Sequence, residues 1–422
     1  MLATLVNSFR IPEIRKKLAF TAAMLLLYRV GAYIPAPGID IDAVERLSDQ
    51  FSGSNVLGFL NLFSGGSLQR FAIFALGIMP YITASIILQL MTVVVPSLEK
   101  LRKEGEVGQQ KITQYTRYLT VGLAFGQSIG YVFLFRSFSA GGEDVVTNFT
   151  LGTVFVIVVS LTAGTVLLMW FGELITQRGI GNGISLMIFA SIVAGLPNGI
   201  QQWWTNPDQI FKVMMPFMAL AIIAGIVFMQ EGQRRIPVQY AKRVVGRRMS
   251  GGGSTYLPLR VNMAGVIPVI FAASLMAFPP TVGELSQAEW AREFSAFFSP
   301  NGAPYLIGES VFIILFTYFY TAVTFNPVEQ ADNLKKYGGF IPGVRPGRPT
   351  AEYLDRILAR LTFPGALYLA AIAALPTILI NQTSANFFFG GTSILIVVGV
   401  ALDTMKQLEA QLMMRNYEGF LK

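Results

Sequence analysis

The stretch LGTVFVIVVSLTAGTVLLMWF, residues 151–171, decides the fold class. It contains no Asp, Glu, Lys or Arg. In a helix, at ~1.5 Å per residue, it is long enough to cross the ~30 Å hydrocarbon core of a bilayer. Its apolar residues are continuous rather than alternating, which rules out a membrane-spanning strand.

Working outward, nine more runs of this kind occur, at 18–34, 71–95, 118–135, 180–199, 213–230, 261–283, 310–328, 361–380 and 388–402. Only the first holds a charge, Arg29, close enough to its end to snorkel. The last run is short, but good helix formers from Asp403 to Leu412 carry it past the membrane. Composition agrees. The chain has 422 residues, 53% of them hydrophobic and 13% charged, whereas a soluble domain is about 25% charged. The expected class is an all-α polytopic membrane protein of ten transmembrane helices.

The basic residues orient it. With the N-terminus inside, the inner segments hold 26 of the 32 Lys and Arg, the outer segments hold five, and Arg29 lies in the first span. That asymmetry predicts cytoplasmic N- and C-termini. Residues 1–17 with the first span resemble a signal peptide only superficially, because no small-residue cleavage site follows. Leu2, Leu5, Val6 and Phe9 recur at helical spacing, as in an interfacial helix, with a disordered tail the alternative. The length divides into two halves of five spans, 1–199 and 200–422. An odd number of spans per half would invert the second relative to the first and place a path at their interface.

Much chemistry is excluded. There is no cysteine and no histidine, which removes disulfides, thiolate nucleophiles, the usual zinc ligands and the Ser-His triad. Gly126–Gly130 matches G-x-S-x-G, but it lies within a span and has no base; we expect no enzyme. Gly122, Gly126 and Gly130 instead line one helix face, where a neighbouring helix could approach closely. Gly179–Gly183 (GIGNG) fits a tight inner turn rather than a phosphate loop, and no Walker A motif occurs. No cofactor or metal is implied, and the energy for any work must come from a partner or a gradient. Ion-coupled carriers place ionisable groups in mid-membrane, and these spans have none, which weighs against the alternative of a small-solute secondary transporter. It weighs equally against an intramembrane hydrolase.

Three other features stand out. The outer segment 35–70 turns apolar at VLGFLNLFSGGS (56–67), too short to cross. It reads as a re-entrant piece or as an interfacial helix. The inner loops 231–260 and 329–360 are basic and rich in Gly and Pro. Their charge suits either anionic lipids or an acidic or RNA-bearing partner. Finally, Ile78 with Ile82, and Ile184 with Ile188, are spaced i, i+4 on shared helix faces. Such residues usually face lipid or core, but faces meeting around a path would gate it by dewetting.

Long stretches then carry a resemblance. They are IPAPGID (34–40), NLFSGGSLQRFAIFALGIMPYITASIILQL (61–90), KITQYTRY (111–118), RGIGNGIS (178–185), EGQRRIPVQYAKR (231–243), LPLRVNMAGVIPVIF (257–271), FNPVEQADNLKKYGGFIPGVRPG (325–347) and FGGTSILIVV (389–398). The chain resembles the SecY family of bacterial protein-conducting channels over essentially its whole length. The resemblance implies ten helices in two inverted pseudo-symmetric halves, clamped around an hourglass pore in the bacterial cytoplasmic membrane. It implies passage of unfolded secretory polypeptides and lateral release of signal sequences and membrane spans into lipid.

Carried over to matching positions, the pore ring falls on Ile78, Ile82, Ile184, Ile188, Ile270 and Ile396. The plug is the piece containing Phe59, Leu60, Asn61, Leu62, Phe63, Ser64, Gly65 and Gly66. Thr83, Gln127 and Ser274 fall along the lateral gate between spans two and three and spans seven and eight. Arg247, Arg248 and Arg345 fall at partner-binding positions of the basic loops. The implied partners are the SecE and SecG subunits, the SecA motor ATPase, the ribosome with its RNA and protein, signal-bearing precursors and anionic lipids.

Overall fold

Uncharged stretches of this length have no partner for their backbone groups in lipid except themselves, so they form helices. A computed structural model of the chain describes residues 11–44, 61, 63–137, 139–140, 143–146, 149–205, 209–240, 243–245, 248–250, 254–276, 289–298, 302–383 and 391–419. Each of the ten apolar runs contains a helix. In chain order the helices are α1 (Pro12–Gly31), α2 (Met79–Val94), α3 (Pro96–Lys103), α4 (Glu106–Ser137), α5 (Leu151–Arg178), α6 (Gly183–Thr205), α7 (Gln209–Glu231), α8 (Ile267–Met276), α9 (Glu289–Phe297), α10 (Ala303–Thr324), α11 (Pro327–Lys336), α12 (Arg348–Thr383) and α13 (Gly391–Gly419).

Among the described residues, five helical segments are long and apolar enough to cross a membrane: Leu151–Arg178, Gly183–Thr205, Lys212–Glu231, Ala303–Lys336 and Arg348–Leu375. The pair α2 and α3 makes a sixth if counted together, bent by 98° at the break before Pro96. Pro at the first helical position lacks the N–H that would continue the ladder. The helices α4 and α13 run on into charged extensions, and α8 is described over only ten residues.

Boundaries differ from those read in the sequence. α2 begins at Met79 rather than near 71, because Phe71 (φ 47°) and Gly77 (φ 57°) are left-handed and keep 71–78 in turns. α6 runs past residue 199 to Thr205. α10 begins at Ala303, which draws Glu309 inside a helix whose span looked uncharged.

The packing has an internal echo. Among the helices of the first five apolar runs, α2 packs on α4, α4 on α5, α5 on α6 and α1 on α6. The same pairings recur five spans later, as α8 on α10, α10 on α12, α12 on α13 and α7 on α13. The two sets meet where α6 packs on α13 and α2 packs on α8. One buried apolar cluster crosses that seam, with Tyr28 of α1, Leu168 of α5, Ile222 of α7, Ile313 of α10 and Leu369 of α12 among its members.

The glycine face of α4 is not used by another helix of this chain at two of its three positions. A side chain at Gly122 or Gly126 would meet nothing within 4 Å, and both residues are exposed. At Gly122 and Gly126 α4 therefore faces away from the other described residues, whereas Gly130 is half-buried. Close helix approach occurs instead at Gly164, where an added Cβ would overlap the Ile73 carbonyl, and at Gly399, where it would overlap the Val266 side chain.

Short strands join the helices. A hairpin of β1 (Ser139–Ala140) and β2 (Glu143–Asp144) follows α4. On the basic side the chain builds a small sheet that a count of charges does not reveal. β3 (Gln233–Tyr240) leads through the paired strands β4 (Arg243–Val245) and β5 (Arg248–Ser250) to β6 (Ser254–Arg260). β3 pairs antiparallel with both β6 and β7 (Gly339–Phe340), in the order β6-β3-β7. Alternation turns Ile236 and Val238 inward, and they pack with Leu259, Ile341, Leu354 and Ile357.

Candidate functional site

The six isoleucines singled out in the sequence come from four helix neighbourhoods. Ile78 caps α2 and Ile82 lies in its first turn. Ile184 and Ile188 lie in the first turns of α6, Ile270 in α8 and Ile396 in α13. The fold brings them together. Ile78, Ile82, Ile188, Ile270 and Ile396 are all buried members of the one cluster that crosses the seam, and half-buried Ile184 packs against it. Both pairs of helices that meet at the seam contribute, so the aliphatic group lies between the two sets.

The short apolar piece before α2 enters the same cluster. Phe63 is 1% exposed and belongs to it. Ser64 lies against the start of α2: a Cβ on Gly77 would sit 3.3 Å from the Ser64 Cα and 3.5 Å from the Phe63 carbonyl oxygen. The turn is knitted locally. The Ser64 hydroxyl donates to the Asn61 carbonyl (3.0 Å) and accepts from the Leu68 N–H (3.1 Å), and the Gly66 N–H donates to the Asn61 carbonyl (2.9 Å). Gly65 and Gly66 both have positive φ, 65° and 85°, which side chains disfavour. Of the expected plug residues, Asn61, Phe63, Ser64, Gly65 and Gly66 are thus placed together. Phe59, Leu60 and Leu62 lie outside the described residues.

Of the gate candidates, Ser274 and Thr83 are neighbours and Gln127 lies on another helix. Ser274 of α8 is buried; its hydroxyl donates to the Ile270 carbonyl at 2.7 Å and approaches the Met79 sulfur of α2 at 3.9 Å. Thr83, one turn past Met79, donates to the Met79 carbonyl at 3.0 Å. Ser274 and Thr83 therefore flank one contact between α2 and α8. Gln127 is half-buried on α4, which packs on α2 and α5.

Among the described residues, the polar ties between the two sets include the Ser274–Met79 contact and the bond from the Trp203 indole to the Lys212 carbonyl at 3.2 Å. Arg102 of α3 donates to the Val323 carbonyl at the end of α10, and Lys17 of α1 donates to the Gln411 side chain of α13 at 3.3 Å. An interface held chiefly by aliphatic contact can part without leaving buried polar groups stranded.

Of the basic-loop residues, Arg345 is exposed, and its carbonyl is fixed by the Thr350 hydroxyl at 2.8 Å. Gly343 and Gly347 turn the chain around it with φ of 82° and 101°. Arg248 begins β5, which pairs with β4; Arg247 lies outside the described residues.

Sequence reasoning missed two features. Arg117 of α4 holds Glu173 of α5 in a two-pronged ion pair just beyond the apolar runs of the two helices. Tyr28, whose hydroxyl lies buried against Ser64 and Ser191, looked like one more aromatic in an apolar run. Charge-free windows end where such partners begin, and long-range pairing leaves no mark in a window.

The fold and the site define a polytopic helical membrane protein with a buried aliphatic cluster between two sets of helices. The protein-family model that matches is SecY, over residues 72–405. Curated relatives named protein translocase subunit SecY match at 51% identity in Streptomyces scabiei and 48% in Mycobacterium tuberculosis strain H37Rv, each covering 100% of both chains. The chain belongs to the SecY family. The fold is also that of the solved structure titled "The structure of a protein conducting channel" (TM-score 0.62, 18% identity, 93% of this chain and 91% of that one). Sec61 in the canine ribosome-channel complex is similar as well (TM-score 0.59, 17% identity, 93% and 91%).

Proposed function

We propose that this chain is the central subunit of a protein-conducting channel, passing unfolded secretory polypeptides across a membrane and releasing signal sequences and membrane spans sideways into lipid. The observation that carries this reading is the convergence of six isoleucines from α2, α6, α8 and α13 with Phe63 of the re-entrant piece. A ring without charge or hydrogen-bonding groups binds no particular cargo. It can close around a chain of any sequence and dewet when empty. Its full-length relatives, named as SecY translocase subunits, support the same reading.

In this channel Ile78, Ile82, Ile184, Ile188, Ile270 and Ile396 form the pore ring. Asn61 to Gly66 belong to the plug. Thr83, Gln127 and Ser274 lie along the gate between spans two and three and spans seven and eight. The ten helices form two inverted halves, with both termini in the cytoplasm of a bacterial cell. Selection of signal sequences is then hydrophobic partitioning through the side of the channel rather than recognition in a polar pocket.

With no nucleotide motif in the chain, the work requires an outside motor. SecA or the ribosome docks on the basic face formed by β3, β6 and the turn around Arg345, with anionic lipid beside it. The small subunits SecE and SecG complete the channel. The neighbour titled as Sec61 in a ribosome-channel complex supports the ribosome as one partner. The decisive experiment is reconstitution of the chain with its companion subunits, SecA and ATP, followed by protease protection of a secretory precursor. Protection is the expected result. Its absence, with uptake of labelled amino acid or sugar instead, would replace this reading with that of a carrier.

A further inference from the structure

The turn at Ser64–Gly66 is held from a direction the isoleucine ring does not explain. Two adjacent residues of α1 reach it. Tyr28 is 2% exposed; its hydroxyl donates to the Ser64 carbonyl at 3.2 Å and accepts from the Ser191 hydroxyl of α6 at 2.5 Å. The Met187 carbonyl, 2.9 Å from the Ser191 hydroxyl, is the alternative acceptor for its single proton, given up when Ser191 donates to Tyr28. The Arg29 guanidinium donates to the next carbonyl, Gly65, at 2.7 Å. Arg70 donates to the one after, Gly66, at 3.3 Å. Tyr33 lies between the two arginines, 5.3 Å from Arg29 and 4.1 Å from Arg70, and its hydroxyl accepts from Arg29 at 3.2 Å. Three successive carbonyls of one turn are thus each capped by a side chain, two of them from α1.

The fit leaves no slack. A Cβ on Gly65 would lie 2.7 Å from the Tyr28 hydroxyl and 3.2 Å from the Ser191 Cα. The backbone of the turn therefore rests directly on the α1–α6 groove, and only glycine permits it. These bonds are specific to one position of the turn. An apolar ring releases the piece gradually, whereas the Tyr28 cap is buried and the Arg29 cap partly so, and moving the turn loses both together and leaves the Tyr28 hydroxyl without its acceptor.

We infer that Tyr28 and Arg29, with Ser191 behind Tyr28, form a latch that sets how readily the plug leaves the pore. The inference rests on the plug reading of 56–67 proposed above. Tyr28 and Arg29 are positioning residues: they act through the turn and not on the passing chain.

The test uses the full chain with its companion subunits in vesicles. Tyr28→Phe keeps the ring and removes the hydroxyl that caps Ser64. Losing one buried hydrogen bond shifts the plug equilibrium about tenfold toward the displaced state, the equivalent of ~1.4 kcal/mol. The readout is resting ion leak, which we expect to rise severalfold in Tyr28→Phe and in Arg29→Gln.

A second variant separates a latch from general loosening. The chain has no cysteine, and a Cβ on Gly77 lies 3.6 Å from the Ser64 Cβ, within reach of a disulfide. The oxidised Ser64→Cys/Gly77→Cys pair pins the turn. With the turn pinned, the extra leak of Tyr28→Phe should disappear. If Tyr28→Phe and Arg29→Gln both leak like wild type, or if the leak persists with the turn pinned, the latch is wrong. If the pinned channel with Tyr28 and Arg29 intact still transports precursor, the plug reading itself fails, a result separate from the other two.

Discussion

The Arg117 guanidinium grips the Glu173 carboxylate with two hydrogen bonds, Nε at 2.8 Å and Nη2 at 2.6 Å, joining α4 to α5. The Glu173 side chain is 13% exposed and that of Arg117 43%, so the pair is partly screened from water. Glu173→Gln should lower stability by roughly 1–2 kcal/mol, since it leaves a half-buried charge unpaired. A double change to Arg117→Leu/Glu173→Leu should cost less than the single. Thermal unfolding in detergent checks both; additive losses would mean the pair does not couple the helices.

The aliphatic ring predicts leak. On the proposed pore-ring reading, replacing several of Ile78, Ile82, Ile184, Ile188, Ile270 and Ile396 by Gly removes aliphatic side chains that would keep water out. We expect higher resting ion conductance in planar bilayers, growing with the number replaced. A flat response across the series would detach these residues from the pore.

Arg345 offers a clean surface test. Its side chain is exposed, and its backbone is fixed from Thr350, so charge reversal leaves the turn intact. Arg345→Glu should reduce SecA-driven transport by about tenfold or more, ~1.4 kcal/mol of lost coupling, while the chain still inserts at wild-type level. Normal transport at physiological salt would assign this charge to lipid alone.

Glu309 predicts the opposite sign. It is 5% exposed in α10, with no ion pair or hydrogen bond among the described residues, and the hydroxyl of Tyr305 one turn away is also unpaired. Burying an uncompensated carboxyl costs stability. Glu309→Gln should therefore melt at or above the wild-type temperature. A drop of several degrees would reveal a partner for Glu309 supplied by another subunit.

The glycines separate by what they touch. Gly122→Ala and Gly126→Ala meet nothing and should stabilise α4 by about 0.5–1 kcal/mol each through helix propensity. Gly164→Ala forces a methyl group against the Ile73 carbonyl and should unfold or loosen the junction of α5 with the α2 approach. Equal behaviour of the three in thermal unfolding would refute this packing.

Much of this was legible along the chain. Ten apolar runs each hold a helix, because in lipid a continuous apolar stretch has no other way to satisfy its backbone. The isoleucine pairs of α2 and α6 stand one turn apart, which a spacing rule reveals. The glycine stripe was legible only in part, for an equally physical reason: small residues at i, i+4, i+8 describe a face but not what lies opposite it. The sheet of β3, β6 and β7 was masked by arginines on its outward positions, although Ile236 and Val238 alternate as strand residues do.

What the sequence by itself determined was the solvent of each segment: which stretches belong in lipid, which side carries positive charge, and which chemistries a chain without histidine or cysteine cannot perform. Those are local properties, summed residue by residue. The tertiary structure alone decided which faces meet. Ile270 and Ile396 join Ile78 from the far half of the chain, Tyr28 reaches Ser64 and Ser191, and Arg117 finds Glu173. Burial and hydrogen bonding between distant residues depend on how helices cross, and no window of sequence contains that geometry.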